Sequence, residues 1–242
     1  MMLPFLRMSC VLVTFAACPL IGDDQTPVRI ALIGDSTMAS YAKPPADRPD
    51  LTGWGQVFEE QFDGTVEVLN RAASGRSSKS FLSEGRWEPV LAEKPDYVFI
   101  QFGHNDQPGK GDRATDPRGD FQDNLRRYVR EARAAGAKPV LVTPVARRTF
   151  ADGKATTTLT PFAEATLQVG KELEVPVVDL HAASFQLFDS LGDAASADLT
   201  ASASDRTHFS RKGGLAIAGL VAAALPDAVP ELAKRLKSKN AG

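Results

Sequence analysis

Short apolar segments alternate with amphipathic ones along most of this chain. A continuous apolar run of strand length is typical of a parallel sheet that is covered on both faces. The pattern predicts five such strands, at residues 28–33, 66–69, 97–102, 139–143 and 175–180. Their alternation with helices predicts a doubly wound α/β fold, in which helices pack on both sides of the sheet.

The segments between and after the predicted strands repeat apolar residues at helical spacing. Gly136 stops one of these segments, while Ser210 is placed to cap another that Pro226 is expected to end. The predicted helices span residues 54–62, 121–135, 162–173, 210–225 and 231–237. Residues 193–204 are small and polar, so a flexible loop is predicted there.

Polar segments that contain glycine follow the first three predicted strands. They begin at Gly34, Asn70 and Gly103. The carboxyl ends of parallel strands meet at one edge of an open sheet, and ligands bind there. The segment from Asp205 to His208 comes after the last predicted strand and can reach the same edge. The sequence therefore predicts one site that is built from several separate loops.

Ser36 is the candidate nucleophile of this site. A serine hydroxyl becomes reactive when a base takes its proton. His208 is the candidate base, because histidine has an ordinary pKa of about 6.5. Asp205, three residues earlier, would orient the imidazole. Each residue has a structural alternative: a helix N-cap for Ser36, a loop or capping carboxylate for Asp205, and a surface or packing histidine for His208.

Three hydrogen-bond donors are candidates for stabilising the oxyanion that forms during ester cleavage. They are the backbone N–H groups of Ser36 and Gly75 and the side-chain amide of Asn105, although Gly75 and Asn105 could equally belong to simple turns. His104 is expected to support its loop, and His181 is expected to start a helix. The 3 histidines are scattered and form no recognisable ligand pattern, so no metal is expected.

The segments around these residues resemble the sequence blocks of the SGNH hydrolases, also called the GDSL family. Longer matches resemble the rhamnogalacturonan acetylesterase branch, whose members remove acetyl groups from pectic polysaccharides. The matching segments are Gly34-Asp35-Ser36-Thr37-Met38, Asn70-Arg71-Ala72 with Gly75-Arg76-Ser77-Ser78, Gly103-His104-Asn105-Asp106, Thr143-Pro144-Val145-Ala146-Arg147-Arg148 and Thr207-His208-Phe209-Ser210. The resemblance extends over residues 28–225.

The resemblance implies a flavodoxin-like three-layer α/β/α fold with a five-stranded parallel sheet in the order 2-1-3-4-5. It implies Ser36 as nucleophile, Asp205 and His208 as its triad partners, and Ser36, Gly75 and Asn105 as the oxyanion hole. It also implies an acetylated polysaccharide or oligosaccharide as substrate and no cofactor. Two other functions stay open. One is an esterase of the same fold that acts on acetylated xylan, small acyl esters or lipids, and the other is a carbohydrate-binding module without catalysis.

Charge adds an expectation about the substrate. A net charge of −2 does not suggest nucleic-acid binding. Basic residues nevertheless cluster near the motifs: Arg71, Arg76 and Lys79 in one segment without acids, Arg147 and Arg148 in another, and Arg206, Arg211 and Lys212 around His208. Arg76, Arg147 and Arg206 are therefore candidates for binding the carboxylates of a galacturonate polymer. The alternative is that these are ordinary solvated loops.

Residues 1–22 resemble an export signal, with Arg7 ahead of a mostly apolar stretch. The apolar stretch is shorter than the roughly 20 residues of a membrane span. We therefore expect an exported protein, periplasmic or extracellular, whose hydrolase domain spans residues 23–242. Cys10 and Cys18 both lie in the leader, so no disulfide is expected in the domain. Phe15-Ala16-Ala17-Cys18 also resembles a lipoprotein box, which leaves lipid attachment at Cys18 as an alternative.

Overall fold

The computed structural model describes residues 26–238 of this chain. Its strands are β1 (Val28–Gly34), β2 (Val66–Asn70), β3 (Tyr97–Gln101), β4 (Lys138–Val142), β5 (Thr149–Ala151), β6 (Lys154–Thr156) and β7 (Val177–Val178). Five of them form a parallel sheet in the order β2-β1-β3-β4-β7, and β5 pairs with β6 in an antiparallel hairpin. The predicted order 2-1-3-4-5 is confirmed, with the hairpin inserted before the last strand of the sheet.

Burial of apolar side chains explains why the central strands form. Every residue of β3 is buried, and residues 30–33 of β1 have 0% exposure. Ile30 of β1 lies opposite Tyr97 of β3 in the parallel register. The last strand is shorter than the predicted stretch at 175–180, because Asp179 already caps the next helix by accepting a hydrogen bond from the backbone N–H of Ala182.

Helices cover both faces of the sheet. They are α1 (Ser78–Ser83), α2 (Trp87–Ala92), α3 (Asp120–Ala134), α4 (Thr160–Glu172), α5 (Leu180–Ala195), α6 (Arg211–Ala228) and α7 (Pro230–Ala233). One core cluster, which includes Leu32 and Phe99, packs under α5, α6 and α7, and a second, which includes Ile33 and Ile100, packs under α1 to α4. Successive residues of a strand point to opposite faces, so each strand contributes to both clusters. The predicted three-layer α/β/α fold is confirmed.

The prediction of a helix at residues 54–62 is wrong in detail, because two short 3₁₀ helices occupy the segment, at Trp54–Gln56 and Phe58–Gln61. Val57 between them has φ −115° and ψ 5°, outside the helical range. The rings of Trp54, Phe58 and Phe62 pack edge to face in succession, with centroids 5.4 and 5.1 Å apart. This buried aromatic stack explains the helix-like spacing of the apolar residues.

Other element boundaries also differ from the prediction. Pro226 lies inside the last turn of α6 rather than beyond its end. Residues 193–204 are only partly a loop, because α5 continues to Ala195 past a kink at Gly192 and a 3₁₀ helix covers Ala197–Leu199. The apolar pattern predicted neither α1 and α2 nor the β5–β6 hairpin, since each is too short to display a period of its own.

Across residues 26–238, no helix has both the length and the apolar character that crossing a bilayer requires. In the same part of the chain, no group of three or more histidine, cysteine, aspartate or glutamate side chains is arranged to hold a metal ion. The expected leader, with Cys10 and Cys18, lies outside the described residues.

Candidate active site

Ser36 lies at the carboxyl edge of the sheet, in a tight turn that directly follows β1. The Asp35 carboxylate accepts hydrogen bonds from the backbone N–H of Thr37 at 2.9 Å and from its hydroxyl at 2.8 Å. The backbone N–H groups of Met38 and Ala39 both bond to the carbonyl oxygen of Asp35. No helix starts at Ser36, so the alternative of a helix N-cap does not apply. A short polar side chain that bonds to the backbone two residues on is what stabilises such a turn.

A buried polar chain holds this turn from below. The Gln101 amide donates to the Thr37 hydroxyl at 2.8 Å, and the Trp54 indole N–H donates to Gln101 Oε1 at 2.9 Å. The backbone N–H of Trp54 bonds to the carbonyl oxygen of Thr37 at 3.0 Å. All three side chains have 0% exposure. Because buried polar groups without partners cost free energy, this satisfied network fixes one geometry for the loop that carries Ser36.

His208 lies on the loop between the Ala197–Leu199 3₁₀ helix and α6. The Asp205 carboxylate accepts hydrogen bonds from the backbone N–H groups of Thr207 and His208, both at 2.9 Å, which closes a turn. The carbonyl oxygen of His208 accepts a bond from the N–H of Ala201. Ser210 caps α6, as predicted, by accepting a hydrogen bond from the N–H of Gly213 at 3.1 Å.

The two loops bring Ser36, His208 and Asp205 into line. His208 Nε2 lies 2.9 Å from Ser36 Oγ, although 172 positions separate the two residues in the chain. His208 Nδ1 lies 2.9 Å from Asp205 Oδ2. Burial alone would raise the pKa of Asp205, but hydrogen bonds from the backbone of His208 and Thr207 and the charge of His208 lower it overall. An ionised carboxylate, an imidazole and a hydroxyl in this order can transfer the hydroxyl proton.

Gly75 and Asn105 come from the loops that follow β2 and β3. Gly75 has φ +80°, a conformation that is strained for residues with a Cβ. Within residues 26–238, neither the N–H of Ser36 nor that of Gly75 donates a hydrogen bond to the protein. The Asn105 amide donates one of its two hydrogens to the carbonyl oxygen of Arg76 at 3.1 Å, and so retains the other. All three predicted donors therefore retain capacity for a substrate oxygen.

Arg113 connects these two loops, and no motif in the sequence indicated it. Its Nη1 donates to the carbonyl oxygen of Gly75 at 2.8 Å and lies 3.5 Å from Asn105 Oδ1. It lies in a 3₁₀ helix at Gly111–Arg113. By holding the oxygen of the Asn105 amide, the guanidinium directs the amide nitrogen the other way.

Asp106 makes a second connection between the same loops, deep below the surface. Its carboxylate accepts hydrogen bonds from the N–H of Gly103 at 3.0 Å, from the N–H and hydroxyl of Ser78 at 3.0 and 2.6 Å, and from the hydroxyl of Thr115 at 3.0 Å. Burial raises the pKa of Asp106 to about 7, against the lowering effect of these hydrogen bonds. Asp106 therefore ties the start of α1, which follows Gly75, to the loop that carries Asn105.

His104 packs beneath the serine turn. Its Nδ1 lies 3.2 Å from Asp35 Oδ2, and the two side chains are 4% and 0% exposed. Burial alone would raise the pKa of Asp35, but interaction with His104 and hydrogen bonds from Thr37 lower it overall. His181, the second residue of α5, lies with its Nδ1 3.1 Å from the carbonyl oxygen of Pro144. Neither histidine contacts Ser36 Oγ.

Most of the basic residues near the motifs have acidic partners that the sequence pattern did not indicate. Acidic residues from distant parts of the chain pair with them: Arg71 with Glu93, Arg76 with Glu84, Arg148 and Arg206 with Asp193, Arg211 with Glu60, and Lys212 with Asp198. The absence of acids near Arg71, Arg76 and Arg148 in the sequence did not predict their absence in space. Of the three predicted substrate contacts, Arg76 and Arg206 have acidic partners, but Glu84 also pairs with Arg86 and Asp193 also pairs with Arg148, so each carboxylate is shared by two guanidinium groups.

Arg147 differs from these residues. Its Nη1 donates to Gln107 Oε1 at 2.6 Å, and its Nε donates to the Thr207 hydroxyl at 3.2 Å. Within residues 26–238 it forms no salt bridge, and burial lowers its pKa. Gln107 and Thr207 are close neighbours in sequence of Asn105 and His208, so the Arg147 guanidinium lies between the two loops that supply those side chains.

Comparison with known proteins identifies the family. Residues 32–214 match the sequence profile of the GDSL-like Lipase/Acylhydrolase family. The chain is 38% identical over 226 residues to the rhamnogalacturonan acetylesterase RhgT of Bacillus subtilis, an alignment that covers 87% of this chain and 93% of RhgT. It is 36% identical over 199 residues to the probable rhamnogalacturonan acetylesterase YesY of the same organism, covering 80% of this chain and 90% of YesY.

Solved structures agree on the fold. The crystal structure of YxiM from Bacillus subtilis superposes with a TM-score of 0.72 at 28% identity, covering 83% of this chain and 56% of YxiM. Axe2, an acetylxylan esterase from Geobacillus stearothermophilus, superposes with a TM-score of 0.62 at 23% identity, covering 83% of this chain and 93% of Axe2. Fold, sequence profile and full-length relatives thus agree, and the chain belongs to the GDSL-like lipase/acylhydrolase (SGNH) family as a carboxylic-ester hydrolase.

Proposed function

We propose that this protein is an exported acetylesterase that removes O-acetyl groups from pectic polysaccharide, with Ser36 as nucleophile, His208 as general base and Asp205 as the residue that orients His208. One observation carries the proposal: Ser36 Oγ, the His208 imidazole and the Asp205 carboxylate follow one another at 2.9 Å intervals. The names of the relatives RhgT and YesY support the proposal that the acyl group removed is acetyl and that the substrate is a pectic polymer.

In the first half of the reaction, His208 Nε2 takes the proton of Ser36 as Oγ attacks the acetyl carbonyl carbon. The carbonyl oxygen becomes an oxyanion, which accepts hydrogen bonds from the N–H groups of Ser36 and Gly75 and from the Asn105 amide. As the tetrahedral intermediate collapses, its bond to the sugar oxygen breaks, and His208 gives its proton to that oxygen. The products are the deacetylated sugar and an acetyl ester on Ser36.

In the second half, a water molecule attacks the acetyl ester while His208 takes one of its protons. The same three donors stabilise the second oxyanion, and collapse releases acetate as His208 returns the proton to Ser36 Oγ. Asp205 stays ionised throughout, consistent with its lowered pKa, and stabilises the imidazolium that forms in each half.

Arg147 supports an acidic polymer as the substrate. Pectic chains carry galacturonate carboxylates, whereas a xylan backbone is neutral. The hydrogen-bond partners of Arg147 include the uncharged side chains of Gln107 and Thr207, and within residues 26–238 no carboxylate lies close enough to form a salt bridge with it, although the charge of Asp35 acts on it from farther away. A partly buried guanidinium beside the reacting ester would bind a substrate carboxylate by charge-assisted hydrogen bonds.

Acetylated xylan is the second candidate substrate, because Axe2, an acetylxylan esterase, shares the fold. The test measures acetate release from acetylated rhamnogalacturonan, acetylated homogalacturonan and acetylated xylan, with the Ser36→Ala protein as background. We expect faster release from the two pectic polymers. Ser36→Ala should lower kcat by about 10⁶-fold, as loss of the nucleophile does in other serine hydrolases. Wild-type turnover by the Ser36→Ala protein would contradict the proposed mechanism. Faster acetate release from xylan than from the pectic polymers would contradict the proposed substrate.

Arg147 variants test the carboxylate contact separately. Arg147→Gln should slow release from the pectic polymers by about tenfold, a loss in the range of one charge-assisted hydrogen bond, and leave release from xylan unchanged. Arg147→Lys should retain part of the preference because it retains the charge. Arg206→Gln is the matched control, since Arg206 already pairs with Asp193. Equal losses on pectic and neutral polymers would mean that Arg147 only supports the loops.

Export rests on residues 1–22 alone. Mass spectrometry of the protein from its native host would measure removal of the leader, and cell fractionation would measure its location. We expect a mature chain without the leader, outside the cytoplasm. An unprocessed cytoplasmic chain would contradict export, and incorporation of labelled palmitate that Cys18→Ser abolishes would indicate the lipoprotein alternative.

A further inference from the structure

Arg48 contacts the carboxylate that holds His208. Arg48 Nη1 lies 3.2 Å from Asp205 Oδ2, the same oxygen that lies 2.9 Å from His208 Nδ1. Arg48 belongs to the irregular segment between the Ser36 turn and the first 3₁₀ helix, 157 positions before Asp205. Neither the apolar pattern nor any matched segment indicated it.

Asp205 does not need Arg48 in order to be hydrogen-bonded. Its Oδ1 already accepts from the N–H groups of Thr207 and His208, and its Oδ2 faces His208 Nδ1. These contacts already orient the Asp205 carboxylate, and Arg48 therefore mainly adds a positive charge beside it. The side chains of Arg48 and Asp205 are 28% and 11% exposed, so solvent screens this charge only in part.

A positive charge at this position affects the imidazole as well as the carboxylate. It stabilises the ionised form of Asp205, and it disfavours the protonated form of His208, because two positive charges then lie on the same carboxylate. Only the neutral imidazole can take the proton of Ser36.

We propose that Arg48 is a positioning residue of this active site: it fixes Asp205 and, through its charge, keeps His208 neutral and able to act as a base at lower pH than the aspartate and histidine alone would allow. The inference rests on the proposed function, because it assigns His208 the role of base.

Other charged groups around the pair do not duplicate this effect. From the Ser36 turn, Tyr41 donates its hydroxyl to the carbonyl oxygen of Ser36, and burial raises its pKa, so it is uncharged at acid and neutral pH. Asp47 lies 3.7 Å from Arg48 Nε and is 77% exposed, so its charge is largely screened. From the adjoining loops, Arg147 contacts Thr207 rather than Asp205, and Arg206 pairs with Asp193.

Two further titratable groups, Asp35 and His104, are buried below the turn and lie against one another. Among residues 26–238, Arg48 is thus the cation other than His208 that contacts the Asp205 carboxylate.

The test compares the pH dependence of kcat/KM for an aryl acetate in the wild type and in Arg48→Lys, Arg48→Gln and Arg48→Met. Lysine retains the charge, glutamine retains a hydrogen-bond donor, and methionine retains neither. Loss of the charge removes a repulsion that opposes positive charge on the imidazole. The acid limb of the profile should therefore move up by about 0.5–1 pH unit in the glutamine and methionine variants and stay in place in the lysine variant. At pH values on the acid side of the limb, a shift of this size lowers kcat/KM by about three- to tenfold.

Arg127→Gln is the matched control, because it removes one positive charge from a salt bridge on α3 with Glu131. Its acid limb should coincide with that of the wild type. A second measurement needs no variant: at about 1 M salt, where the Debye length is about 3 Å, the acid limb of the wild type should move to higher pH. This readout still applies if a variant fails to fold.

The outcomes separate the two proposals. Coincident acid limbs in all the Arg48 variants, or a limb in Arg127→Gln that moves as far as that in Arg48→Gln, would overturn the role of Arg48 and leave the mechanism intact. Hydrolysis that does not depend on Ser36 in the wild-type protein would instead overturn the proposed function.

Discussion

The protein contains two aspartate–histidine pairs at the same edge of its sheet, and they differ in access and in what the second ring nitrogen meets. In the pair of Asp205 and His208, the side chains are 11% and 25% exposed, and His208 Nε2 lies 2.9 Å from a serine hydroxyl. In the pair of Asp35 and His104, the side chains are 0% and 4% exposed, and His104 Nε2 has no hydrogen-bond partner within residues 26–238.

The same two residue types therefore serve different purposes. An imidazole whose far nitrogen faces a hydroxyl at an accessible edge can receive and return a proton. An imidazole that is sealed in the core beside a carboxylate can only favour the ionised form of that carboxylate. Asp35 closes the turn that presents Ser36, so the buried pair supports the position at which the exposed pair is proposed to act.

Substitution of each histidine by alanine gives the largest contrast. His208→Ala should lower kcat by about 10⁶-fold with little change in stability, because the proposed base is lost from a partly exposed site. His104→Ala should lower the free energy of unfolding by about 3–5 kcal/mol, because it leaves Asp35 as a buried charge without its partner. Its kcat should stay within about tenfold of the wild type, or about 1.4 kcal/mol of activation free energy.

Single-turnover kinetics with an aryl acetate and urea denaturation would measure both quantities on the same samples. If His104→Ala lost as much activity per folded molecule as His208→Ala, the assignment of separate roles to the two pairs would be wrong.

Asn105 follows His104 directly in the chain, and the two neighbouring side chains point in different directions. Its amide faces the loop of Gly75 and Arg76, whereas the His104 ring faces the core. Asn105→Ala should lower kcat by about 10²- to 10³-fold, the usual effect of removing one oxyanion donor, with little change in KM. Steady-state kinetics would measure kcat and KM separately. A large rise in KM at constant kcat would show that Asn105 binds the substrate in the ground state instead.

Asp106 comes next in the chain, and its predicted effect concerns the pH dependence of stability rather than catalysis. Burial raises its pKa to about 7, and the charge of Asp35 adds to this rise, whereas interactions with His104 and Thr37 lower the pKa of Asp35. The folded protein therefore binds a proton that the unfolded chain releases. The contribution of Asp106 to the free energy of unfolding is complete below about pH 4 and falls as pH rises to about 7, by at most about 4 kcal/mol.

Asp106→Asn removes this dependence. The variant should be less stable than the wild type at acid pH, because asparagine cannot accept every hydrogen bond that Asp106 receives, and the difference should narrow as pH rises. Urea denaturation at several pH values would measure it. A constant difference between about pH 4 and 7 would mean that Asp106 is ionised throughout that range.

Much of the fold was predictable because its signals are local. The buried strands appear as continuous apolar runs, and the turn residues that follow them mark where each loop begins. The order of strands in the sheet came from the family resemblance. Ser36, Asp205 and His208 were identifiable for a different reason, since few residue types can supply a nucleophile and a base.

The pairing of charges was not predictable, because it depends on which distant loops meet. Arg71 pairs with Glu93 across 22 positions, and Arg48 reaches Asp205 across 157. Arg113 contacts the carbonyl oxygen of Gly75 from a 3₁₀ helix that no motif marks.

The amino-acid sequence by itself determined where the strands and helices form and which side chains can do the chemistry, because apolar periodicity and reactive groups are properties of neighbouring residues. Only the tertiary structure decided which arginines lack an acidic partner and that Arg48 contacts Asp205. Those properties follow from distances of a few ångströms between segments that are far apart in the chain, and the sheet edge sets those distances.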